Sequence, residues 1–91
     1  MGTEIKLLKT EERKTRAEAA SFIRLLADKV EAGQVMLRSG ETEVALEIPP
    51  SVILELQVED EDKRSKGIQH SLEVTLKWFD GDEGGGPLEL G

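Results

Sequence analysis

The chain contains no cysteine and a single histidine among its 91 residues. Disulfides, thiolate nucleophiles and cysteine-ligated zinc are thereby excluded, and no redox compartment is implied. No run approaches the roughly 18 apolar residues that a membrane-spanning helix needs. The opening Met1-Gly2-Thr3-Glu4 leads straight into strand-like sequence, without the basic stretch and apolar stretch of a secretory leader. The expectation is a cytoplasmic protein with no membrane partner. A chain this short makes one domain, with a core at the small end of what folds alone.

What is present is charge, unevenly placed. The formal net charge is -7; residues 1–38 carry +2 and residues 39–91 carry -9. An acidic half repels phosphate backbones, so ordinary duplex binding is disfavoured and nucleic acid is an unlikely partner. Solubility is the plain reading of such a surface; basic partners, or imitation of nucleic acid, are the specific ones.

The pattern that organises the rest is an alternation near the end. His70, Leu72, Val74, Leu76 and Trp78 alternate with Ser71, Glu73, Thr75, Lys77 and Phe79. A period of two over this length is that of a half-buried strand, apolar on one face and polar on the other. It ends on the only tryptophan.

Taken in order, Glu4–Lys9 reads as an opening edge strand, with Ile5 and Leu7 on one face and lysines flanking them. A polar bridge, Thr10–Lys14, follows. Thr15 and Glu18 have the spacing of a capping box, and Ala19, Phe22, Ile23, Leu26 and Val30 recur at three and four. The helix closes after Ala32, at Gly33. Val35–Arg38 and Glu43–Ile48 flank a glycine-containing turn and read as a hairpin, ended by Pro49-Pro50. Val52–Glu59 is a further strand, Asp60–Gly67 a solvated turn, and Ile68–Phe79 the closing strand.

These elements predict an α+β domain of order β-α-β-β-β-β over residues 1–80. One amphipathic helix packs on an antiparallel meander sheet of four to five strands. Its structural core is expected at Phe22, Leu26, Val30, Leu72, Leu76 and Trp78. Residues 81–91 read as a flexible, glycine-rich acidic tail.

The helix Thr15–Val30, then Gly33, then Val44-Ala45-Leu46-Glu47-Ile48-Pro49, and the closing Ser71–Trp78 together resemble the amphi-Trp domain family, over about residues 4–80. The resemblance implies a small α+β domain that often stands alone and has no established activity. It carries over no catalytic or binding residue.

Chemistry is sparse. His70 lies on the apolar parity near a strand start, the place of a hydrogen-bonding residue rather than a catalyst. None of the serines sits in a nucleophile-elbow context. Glu59–Asp62 lacks a calcium-loop frame, because Lys63, Arg64 and Lys66 stand where later ligands belong. No cofactor or metal is expected. The best candidate contact is Lys9, Arg13, Lys14 and Arg16, just ahead of the helix N-terminus, where free amides favour anions. Glu11, Glu12 and Glu18 interleave with it. The expectation is a non-enzymatic protein-interaction or self-assembly module, with homo-oligomers through a sheet edge as one form. The alternatives are a nucleic-acid-associated or nucleic-acid-mimicking protein, or a small-anion binder at the helix N-terminus.

Overall fold

The computed structural model describes residues 2–81, so the expected tail lies almost wholly outside the described residues. The chain is α+β and forms two compact units, one ending at Ile48 and the other beginning at Pro49.

In the first unit, α1 (Arg16–Ala32) begins on Thr15 and ends on Gly33. Gly33 takes φ 88°, a left-handed conformation cheap only for glycine, and its N–H donates to Val30 O at 3.0 Å. The chain then passes directly into β1 (Gln34–Ser39), which pairs antiparallel with β2 (Thr42–Glu47). The Ile48 N–H donates to Gly33 O at 2.8 Å, carrying the pairing one step past the ladder. Gly40, at φ 59°, supplies the positive dihedral that a two-residue hairpin turn demands. Val35 faces Leu46 and Leu37 faces Val44, so the apolar residues share one face of the ribbon. α1 lies against β1, where Val35 is 3% exposed and Leu26, Val30, Leu37, Val44 and Leu46 are half-buried.

In the second unit, β3 (Ile53–Asp62) pairs antiparallel with β4 (Ile68–Lys77), register Leu54↔Leu76, Leu56↔Val74, Val58↔Leu72 and Asp60↔His70. The connection Lys63–Gly67 contains a 3₁₀ turn over Arg64–Lys66 and is closed by Lys63 N–H donating to Gly67 O at 2.8 Å.

Two expectations are corrected. No strand forms over Glu4–Lys9; that stretch is irregular, with Ile5 and Leu7 exposed. A strand is defined by a ladder partner, and two alternating apolar residues between lysines provide none. The four strands, moreover, make two two-stranded sheets rather than one meander. Pro49-Pro50 follows β2 after a single residue, Ile48, and proline has no N–H to extend a ladder. A boundary also shifts: Asp60, Glu61 and Asp62, read as turn, belong to β3 because Ile68, Gln69 and His70 supply their cross-strand partners.

Candidate functional site

The β3–β4 ribbon is two-faced in a way that follows from register. Residues directly opposite in an antiparallel ladder project to the same side, and successive residues alternate. Leu54, Leu56 and Val58 therefore share a face with Leu72, Val74 and Leu76, and Asp60 and His70 continue that row toward the turn. The other face carries Glu55, Gln57, Glu59 and Glu61 opposite Thr75, Glu73, Ser71 and Gln69.

The apolar row is open. Leu54, Leu56, Val58, Leu72 and Val74 are each between 64% and 74% exposed. Five neighbouring aliphatic side chains at this exposure amount to roughly 600 Å², as large as the largest apolar patch of an ordinary monomer. At the far end Trp78 is half-buried, just past the last ladder pair, and lines a shallow apolar concavity with Ile53, Leu76 and Phe79.

Polar contacts frame both faces. His70 Nδ1 lies 2.6 Å from Asp60 Oδ1, and Lys77 Nζ lies 3.2 Å from Glu55 Oε1. Gln57 Nε2 donates to Glu59 Oε2 at 2.7 Å, and Lys63 reaches Glu61 at 3.3 Å.

The basic cluster ahead of α1 is placed differently from a free anion cradle. The Thr15 hydroxyl accepts from the Glu18 N–H, and the Glu18 carboxylate accepts from the Thr15 N–H, both at 3.0 Å. That backbone donor, with the Thr15 side chain as the lesser cause, holds the Glu18 carboxyl below its ordinary pKa. The amides at 15 and 18 are thus already used, and a carboxylate kept ionised stands beside them. Lys14 pairs with Glu12 at 3.5 Å, and both line a concavity with Thr10, Glu18, Ala19, Phe22 and Ile23. Arg13 and Lys14 line a second recess with Glu11 and Glu12. Lys9, Arg13 and Arg16 are exposed.

Of the expected core residues, Phe22, Leu26 and Val30 belong to the first unit and Leu72, Leu76 and Trp78 to the second. Leu26, Val30, Leu76 and Trp78 are half-buried, whereas Phe22 and Leu72 are exposed, at 58% and 70%. Among the described residues no group of three or more His, Asp or Glu is placed to hold a metal ion, and no helix is long and apolar enough to cross a membrane.

The whole chain has a counterpart among known families. The Amphi-Trp domain pattern matches residues 1–91. The chain belongs to the Amphi-Trp domain family. No curated protein and no solved structure matches it. In this chain the strand that runs toward Trp78 is β4, and the apolar face ahead of the tryptophan is the exposed aliphatic row.

Proposed function

We propose that this Amphi-Trp domain is a non-catalytic association module whose binding surface is the aliphatic face of the β3–β4 ribbon. The observation that carries the reading is the exposure of Leu54, Leu56, Val58, Leu72 and Val74 on one face, with Glu55, Glu59, Glu61 and Glu73 on the other. Apolar area of this size held in water is unfavourable, and covering it is a source of binding free energy. The glutamates opposite keep the free module soluble.

The non-enzymatic part of the reading rests on the site of the one histidine. The His70 and Asp60 side chains are 74% and 63% exposed, so a substrate there would meet neither desolvation nor an enclosing wall. A small-anion site at the α1 N-terminus has less support, because the capping box occupies two of the amides there and sets the Glu18 carboxylate beside them.

The test is cross-linked capture from the host with three versions of the chain. A partner retained by the native chain and by Gln57→Asp on the polar face, but lost by Leu56→Asp, supports the reading. Retention by Leu56→Asp refutes it, since a carboxylate at the centre of the row would have to be buried unpaired.

A further inference from the structure

Resting on that reading, we infer that the occupant of the β3–β4 aliphatic face is the same face of a second copy of this chain, the two ribbons packed face to face about a two-fold axis. Three observations lead there. From Leu54↔Leu76 through Leu56↔Val74 to Val58↔Leu72 the face is leucine and valine only, and its polar groups, Asp60, His70 and Asp62, are confined to the turn end. Such a surface is complementary to itself, as an isologous contact requires.

The second is area. Two faces of roughly 600 Å² each bury about 1,200 Å², at the lower bound of a specific protein–protein interface. The third is charge. Every glutamate of β3 and the only one of β4 lie on the opposite face, so packing apolar face on apolar face turns the glutamates outward and leaves Asp60 and Asp62 at the turn end of the inner face. Two stacked sheets keep them about 10 Å or more apart, near the screening length at physiological salt. Back-to-back packing would instead bring eight glutamates together, two sets of Glu55, Glu59, Glu61 and Glu73. The ionisable groups on the ribbon's apolar row stand at its turn end: Asp60 and His70, paired with each other, and Asp62, which accepts from the Arg64 N–H.

Light scattering and sedimentation on the full chain, over about 1 µM to 1 mM, test this across three decades of dissociation constant. The expected mass rises from 10.0 kDa to twice that. Leu56→Asp and Val74→Asp hold the mass at the monomer value, while Gln57→Asp leaves the dimer intact; circular dichroism confirms that each variant keeps its strands. Because the chain has no cysteine, a second measurement needs only one introduced label. A spin label at Ser71→Cys on the outer face reports one defined inter-copy distance, beyond the thickness of a single sheet.

A monomer at every concentration, or a dimer that survives both aspartates, overturns the second-copy inference. The two readings fail separately. If the native monomer shows methyl cross-peaks from Leu56 and Val74 to apolar side chains outside β3 and β4, the face is internally covered and the association reading falls as well. If those cross-peaks are absent, only the second copy is lost as the occupant.

Discussion

His70 Nδ1 and Asp60 Oδ1 meet at 2.6 Å across the β3–β4 ladder, on the row that continues the aliphatic face toward the turn. The contact is short, yet both side chains are mostly in solvent, where an ion pair is screened and pays side-chain entropy. A double-mutant cycle with His70→Gln and Asp60→Asn should therefore return a coupling of about 0.2–1 kcal/mol. A coupling above about 3 kcal/mol, the range of buried pairs, would show that the face is covered in solution.

That pair also shows where the sequence could be read and where it could not. Asp60-Glu61-Asp62 has the composition of a loop, and strand propensity alone ends β3 before it. Register decides otherwise, because Ile68, Gln69 and His70 offer backbone partners that local propensity does not contain. The helix was fully legible: Thr15, Glu18 and Gly33 mark both ends, and each signal acts within a few residues of itself. The Leu72-to-Trp78 alternation was equally plain, since it depends on the pleat alone. What alternation cannot state is what covers a face. Parity alone places Leu72 in a core, whereas at 70% exposure it lies on the candidate binding row. The Ile5–Leu7 stretch fails for the same reason: an alternating pattern specifies a face, but only a partner makes a strand.

The capping box at the start of α1 predicts a pH dependence with a definite sign. The Glu18 pKa is lowered in the folded chain, first by the Thr15 N–H and then by the Thr15 side chain. A carboxyl depressed on folding stabilises the fold above its unfolded value, about 4.3, and loses that contribution as pH falls through the lower folded value. The native chain should be more stable than Glu18→Gln near neutrality, and the difference should close below about pH 4. Thermal melts of both proteins across that range check it; a difference that stays constant in acid would remove the charge from the account. Thr15→Ala, which deletes the acceptor for the Glu18 N–H, should cost about 1 kcal/mol at neutral pH.

The β3–β4 connection holds two positive dihedrals three residues apart, and they should respond to substitution with opposite signs. Gly67 sits at φ 92°, ψ -162°, a region that is essentially glycine's own. A Cβ there would meet nothing within 4 Å, so the cost of Gly67→Ala is purely that of the backbone, about 1–3 kcal/mol. Arg64 sits at φ 61°, where asparagine is tolerated better than a long side chain. Arg64→Asn should raise stability by a few tenths to about 1 kcal/mol. Urea unfolding followed by amide signals of β3 and β4 measures both. Two changes of the same sign would show that side-chain contacts, rather than dihedrals, govern the turn.

Val35 gives the sharpest energetic contrast in the first unit. It is 3% exposed, faces Leu46 across the ladder, and lies on the strand that α1 packs against. Val35→Ala removes two methyl groups from that contact, at about 0.8 kcal/mol per group, and leaves a gap the ribbon closes only in part. A loss of about 2 kcal/mol is expected. The next residue, Met36, projects from the opposite face across from Ala45 and is 58% exposed, so Met36→Ala should fall within about 0.5 kcal/mol of the native chain. Amide exchange of β1 and β2 resolves the two, because it reads the first unit whatever the second ribbon does. Equal losses at 35 and 36 would mean that the Met36 face is also covered in solution, and the orientation of this hairpin against α1 would have to be abandoned.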